Sequence, residues 1–187
     1  QPERSQGTLV THWIYQCVLS TLTGFEAINT SLYDRSAAIY EAITCAYRTN
    51  PRGGKILLAR SLFESDLKVI QTLSEETELE FLSVPYDSET GLLQYDWLKN
   101  LSEEELKEIS AFAFPQVNSL GLLEDVDFLS DFARSNGIRS IACIDPMLLG
   151  TGGLKPPTDF GMEGCDFMVG EAQHLAIPPN FGGPGLG

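Results

Sequence analysis

The chain is poor in the residues that most metal and thiol chemistry needs. It has two histidines, His12 and His174, far apart, and four cysteines, Cys17, Cys45, Cys143 and Cys165, with no CxxC pair. No HExxH or CxxC spacing offers a metal site, so none is expected. The cysteines are widely spaced and three lie in apolar runs, which points to free thiols in a reducing, intracellular setting rather than to a disulfide framework. Basic residues are scarce too: 12 Lys and Arg against 26 Asp and Glu give a net charge of −14. A nucleic-acid partner needs a basic face and is therefore excluded. No run of about 18 apolar residues occurs, so no membrane span is expected, and no signal-peptide pattern opens the chain. GxSxG, GxGxxG and GxxxxGK[ST] are all missing, which removes the usual serine-nucleophile and phosphate-loop signatures.

What remains is a folding-competent composition. In 187 residues, 43% are apolar, consistent with one globular domain with an ordinary core. The chain lacks an initiator Met and opens on "QPERSQGTL", which suits a piece of something longer.

Hydrophobic periodicity predicts a helix over 5–23, with Leu9, Trp13, Cys17 and Leu22 on its apolar face and Gly24 as its stop. His12 falls among these expected core positions. After the extended "FEAINTSLYD", a helix over 36–48 follows Asp34, a good N-cap. "KILLA" (55–59) reads as a buried strand, "DLKVIQTLSEE" (66–76) as a helix and "LEFLSVP" (79–85) as a strand. "YDWLKNL" forms a helix, and Ser102 with Glu105 makes a capping box for the next. "AFAF" (111–114), a helix over 124–135, "RSIACID" (139–145) and "FMVG" (167–170) complete the series. Strands alternating with helices predict an α/β fold, a mostly parallel sheet with helices on both faces. Ligands of such sheets sit beyond the carboxyl ends of the strands. Four polar clusters fall there: "NTSLYDRSAA", "VNSLGLLED", "IDPMLLGTGG" and the closing "GEAQHLAIPPNFGGPGLG".

Three of these have two readings. The free N–H groups at the helix start after Asp34 could hold an anion such as phosphate, with Ser36 and the backbone of Arg35 as donors and the Arg35 side chain adding charge, or Asp34 could simply cap the helix. Asp145, held extended by Pro146, could pair with a protonated cofactor ring nitrogen or bond the turn that follows. Gly182, Gly183, Gly185 and Gly187 permit close approach of a ligand or a tight turn.

Taken together, "QPERSQGTL", "LTGFEAINTSLYD", "GLLED", "GGLKPP" and "VGEAQHLAIPPNFGGPGLG" resemble the glycine cleavage system P-protein, glycine dehydrogenase (decarboxylating), in its subunit 1 or N-terminal half. The last stretch is similar to that family's GEGQSLGIPLSFGGPYLG. Departures are local: Arg35 stands for a glycine, "VNSLG" for PNFFG, "SLFES" for a region with a histidine-proline pair, and Ala172, His174 and Ala176 for Gly, Ser and Gly.

The resemblance implies the large domain of the aspartate-aminotransferase-like pyridoxal-phosphate fold over 1–187, with the small domain absent. It implies an enzyme that decarboxylates glycine and passes the aminomethyl group to the lipoyl H-protein. Pyridoxal phosphate is carried by subunit 2, the lysine-bearing half, and none is expected covalently here. Setting this hairpin on that of the lysine-bearing half places Gln173 at the Schiff-base lysine, and an amide nitrogen is no nucleophile. No residue is assigned a catalytic step; Asn29, Tyr33, Asp34, Ser36, Asp145 and Gln173 are expected to line a vestigial or interface cleft. The setting implied is cytoplasmic, or the mitochondrial matrix if the source is eukaryotic. Two alternatives stand beside this: a non-catalytic scaffold with a degenerate cofactor fold, and a cofactor enzyme recruiting Lys155 of "GGLKPP".

Overall fold

The computed structural model describes residues 2–175 and 185–187. Five strands, β1 (Lys55–Ala59), β2 (Glu80–Val84), β3 (Ile109–Pro115), β4 (Arg139–Cys143) and β5 (Phe167–Val169), form one sheet in the order β2-β1-β3-β4-β5. Every neighbouring pair is parallel. All seven residues of β3 are buried, and successive side chains of a strand point to opposite faces. Both faces are therefore covered, as the continuous apolar run implies.

The two faces are packed differently. Phe112 and Phe114 point one way, and Phe112 meets Phe132 of helix α6 (Val126–Ser135) at a centroid distance of 6.5 Å. Ala111 and Ala113 point the other way. Their small side chains let helix α2 (Arg35–Thr49) lie close across β3, β4 and β5 with Ala38, Ala42 and Ala46 buried. Helix α3 (Glu64–Ser74) packs against α2. The short helices α4 (Tyr95–Lys99) and α5 (Glu103–Glu108) bridge β2 to β3, and the Ser102–Glu105 capping box is present.

Two expectations need correction. Helix α1 (Pro2–Thr23) forms, but its apolar face is not core. Leu9, Val10, Trp13, Ile14 and Val18 are exposed, Trp13 by 67%, and His12 is exposed with them. Only the last turn, through Leu19 and Thr23, is buried; the helix runs past the sheet, touching the short 3-10 turn Pro146–Leu149. Helix α3 starts two residues earlier than its sequence suggests. Phe63 is its N-cap without a side-chain bond, which leaves Asp66 inside the first turn rather than at the cap.

Cys143 and Cys165 are buried, whereas Cys17 and Cys45 are exposed, and all four are free. Burial raises both inner thiols, Cys165 to about 11, and thiolate is the reactive form. An aromatic disulfide reagent is thus expected to titrate two thiols rapidly in the native protein and four in denaturant. Four fast thiols would contradict the packing at β4.

Candidate functional site

The carboxyl ends of β4 and β5 and the start of α2 gather most of the polar residues singled out in the sequence. Helix α2 begins at Asp34, whose Oδ1 accepts a 2.7 Å hydrogen bond from the Ala37 N–H. The capping alternative is therefore the one realised. Beside it, the side chains of Ser36 and Arg35 are both engaged by an internal carboxylate. Ser36 Oγ donates to Asp66 Oδ1 at 2.7 Å, and Arg35 reaches the same carboxylate through Nε at 2.8 Å and Nη2 at 3.3 Å. Asp66 is 2% exposed, and the Arg35 guanidinium stands 4.5 Å from the Phe63 ring centroid. Burial alone would lower the Arg35 pKa, but the hydrogen bond and charge of Asp66 raise it, so the guanidinium stays charged.

At the end of β4, Asp145 caps the 3-10 turn that follows. Its Oδ1 accepts from the Met147 N–H at 2.9 Å and lies 2.6 Å from His174 Nε2. The turn-bonding alternative holds, with His174 added from 29 residues away.

Gln173 opens the short 3-10 helix Gln173–Leu175. Its amide nitrogen donates to Glu171 Oε2 and its amide oxygen accepts from the Leu186 N–H, both at 3.1 Å. Leu186 in turn accepts from the Ala172 N–H, and Gly187 exchanges two backbone hydrogen bonds with Leu32. The two ends of the glycine-rich stretch are thereby tied to each other and to the segment ahead of α2. Ala176, Gly182 and Gly183 lie outside the described residues.

The side chains of the other two residues make none of these bonds. Asn29 accepts from the Thr30 N–H at 2.8 Å and lines a cavity of about 790 Å³ between α1, the 24–32 connection, α2 and β5. That cavity is walled mainly by apolar groups such as Leu19, Ile28, Ala42, Phe167 and Met168, and it abuts the polar cluster at Gly170 and Ala172. Tyr33 is 88% exposed. Lys155, the alternative amine, is held by Asp127 at 2.6 Å. Through the hydrogen bond, that contact lowers the Asp127 pKa.

A second group forms in the "VNSLGLLED" cluster, around a carboxylate that nothing in the sequence singled out. Glu124, 5% exposed, accepts from Ser61 Oγ at 2.9 Å, Asn118 Nδ2 at 2.9 Å, the Leu93 N–H at 3.1 Å and Tyr95 OH at 3.0 Å. Asn118 accepts in turn from the Leu120 and Leu122 N–H groups. The "VNSLGLLED" cluster is thus a closed network that fixes the loops beyond β1 and β3. Among the described residues no group of three or more His, Cys, Asp or Glu could hold a metal ion. Nor is any helix there long and apolar enough to cross a membrane.

Comparison with known proteins adds the context. The family described as "Glycine cleavage system P-protein" matches residues 1–187. A relative from Methylococcus capsulatus, named "Probable glycine dehydrogenase (decarboxylating) subunit 1", is 40% identical over 189 aligned positions, which take in 100% of this chain and 41% of the relative. A crystal structure of glycine decarboxylase (P-protein) of the glycine cleavage system, in inhibitor-bound form, superposes with a TM-score of 0.84 at 32% identity. It is covered to 39% of its length by 100% of this chain. An O-acetylhomoserine (thiol)-lyase from Campylobacter jejuni, solved with a pyridoxyl-lysine phosphate, shares the fold at a TM-score of 0.54 and 14% identity over 78% of this chain and 34% of its own. The chain spans about two fifths of the length of the curated relatives it matches.

Proposed function

The chain belongs to the glycine cleavage system P-protein family, and we propose that it acts as the large-domain part of subunit 1, or of the N-terminal half, in a glycine dehydrogenase (decarboxylating). Its partner is the lysine-bearing half, which carries the pyridoxal phosphate. The assembled pair decarboxylates glycine and hands the aminomethyl group to the lipoyl H-protein. The cofactor supplies the electron sink for that decarboxylation; this chain supplies a folded partner surface.

One observation carries the division of labour. The residue at the amine position, Gln173, has its amide bonded to Glu171 and to the Leu186 N–H. The remaining residues suit the cofactor no better. Asp145 is taken up by His174 and the Met147 N–H, and the start of α2 by Asp34 and Asp66. These residues do not fit pyridoxal phosphate, so no step is routed through a cofactor on this chain. Asn29, Asp34, Ser36, Asp145 and Gln173 are proposed as lining or bracing a vestigial cleft that faces the partner. Tyr33 projects beside it. The exposed apolar side chains of α1 are the kind of surface that association covers.

The test is glycine–bicarbonate exchange with the full subunit that carries this sequence, alone and mixed with a lysine-bearing half. Exchange is expected only in the mixture, and incubation of the chain alone with pyridoxal phosphate and borohydride should leave no stoichiometric adduct. An adduct on one lysine would overturn the assignment and make this a cofactor enzyme in its own right. Tight pairing without exchange would instead identify a scaffold.

A further inference from the structure

The start of α2 is already occupied by an anion, and that anion belongs to the protein. Three side-chain donors, Ser36 Oγ, Arg35 Nε and Arg35 Nη2, converge on the two oxygens of Asp66 within 3.3 Å. This is the fork geometry in which an arginine holds a bound carboxylate or phosphate. Asp66 lies in the first turn of α3, so the positive ends of both α2 and α3 face it. It is nine-tenths buried and more, and it reaches Arg35 across 31 residues of sequence. Of the N–H groups that open α2, that of Ala37 is taken by the Asp34 side chain, a carboxylate that an incoming anion would meet as well.

We propose that Asp66 is a built-in anion which fills the phosphate end of the cleft and, independently of Gln173, keeps phosphorylated cofactors off this chain. The proposal deepens the reading above, in which the cofactor is carried by the partner. It adds a second and separate cause. The amide at Gln173 removes the covalent bond, whereas the Arg35–Asp66–Ser36 cluster removes the non-covalent anchor. An incoming phosphate, carrying close to two negative charges, would have to displace a carboxylate held by an arginine and a serine, with the Asp34 carboxylate beside it. The arrangement also gives a role to the side chain at Arg35, which is bulky where the family has glycine. Arg35 neutralises Asp66, and its stacking on Phe63 fixes the guanidinium in place.

Removal of the internal anion should therefore create a site for an external one. The protein, Asp66→Ala and the double variant Arg35→Ala/Asp66→Ala would be titrated with inorganic phosphate at constant ionic strength. Melting temperature and calorimetry provide the readouts, and circular dichroism checks that each variant is folded. Asp66→Ala frees Arg35 and Ser36 and is expected to bind phosphate at least about ten-fold more tightly than the parent, the difference one charge-assisted contact makes. The double variant should lose that gain. Pyridoxal 5′-phosphate should follow the same order without forming an adduct at residue 173. If Asp66→Ala does not fold, Asp66→Asn removes the charge but leaves an acceptor oxygen on Arg35 and Ser36, and should show a smaller gain of the same sign. Phosphate binding by the parent as tight as by the variant, or no gain in a folded variant, would overturn the proposal. Neither result bears on exchange with the partner half, so failure here is distinguishable from failure of the assigned function.

Discussion

Replacing Glu124 by alanine is expected to lower the unfolding free energy by about 3 kcal/mol, the cost of stranding several buried donors at once. The carboxylate accepts four hydrogen bonds, from Ser61, Asn118, Leu93 and Tyr95. Ser61 is fully buried and Asn118 nearly so, and neither has room to turn to bulk water. A water entering the vacated space could recover some of these bonds, which is why the figure stays below the sum of four. Glu124→Gln is the informative companion. It keeps the volume but turns one acceptor into a donor among donors, so it should regain less than half of the loss. Urea unfolding of the three proteins reads both effects. A loss under about 1 kcal/mol for the alanine variant would mean that solvent already reaches the network. The Tyr95 phenol reports on the same site. Burial raises its pKa to about 12, the backbone N–H of Asp125 lowers it, and the Glu124 charge raises it again. Because the folded value lies above the unfolded one, the native state holds the proton longer, and the network's stability should fall as the pH rises from about 10 through 12. Without Glu124, Tyr95 should ionise at lower pH.

The sheet was legible in the sequence because its strands are short apolar runs between turn signals. β3 shows the limit of that signal. Its length was read as four residues, whereas seven belong to it, because Ile109 and Ser110 continue a helix whose charged pattern masks the switch of period. α1 marks a deeper limit. Its helical spacing was correct, but periodicity reports which side chains share a face and is silent on what that face meets. Ile14 and Val18 share a face that no described element covers.

The site shows the same division. The cap at Asp34 could be inferred from local chemistry, because the bonded partner lies three residues away. Asp145 had its nearer partner, Met147, two residues away, while His174 is 29 residues off. Asp66 and Glu124 were invisible because their partners lie up to 63 residues distant and acidic residues are common in this chain. The one available clue was steric. A serine-rich "SLFESD" offers several start positions for α3, and only the earlier one leaves Asp66 free to reach across to Arg35.

Gly170→Ala is expected to be comparably damaging, for a different reason. The residue follows β5, where the Ile144 N–H donates to the Val169 carbonyl at 2.8 Å. A methyl group built on Gly170 would fall on the Ile144 carbonyl oxygen, with Pro146 Cδ close behind. The obstacle is space and not backbone conformation, since the φ of Gly170 lies outside the left-handed region. A backbone carbonyl in a paired strand end cannot rotate away as a flexible side chain would, so β5 must part from β4. Overpacking of this kind costs about 3 kcal/mol at the upper end of its usual range. Gly121→Ala is the control that separates the two costs. Its φ is +79° with nothing within 4 Å of the added methyl, so only the conformational penalty of about 1 kcal/mol applies. The functional consequence should be larger than the stability change conveys. Gln173 and His174 lie three and four residues beyond Gly170, and His174 is held by Asp145 on the neighbouring strand end. Separation of the two strands should break that contact, which the His174 ring resonances would report. A Gly170→Ala protein as stable as the parent, with those resonances unmoved, would mean that the close packing of β5 on β4 is not what fixes the hairpin.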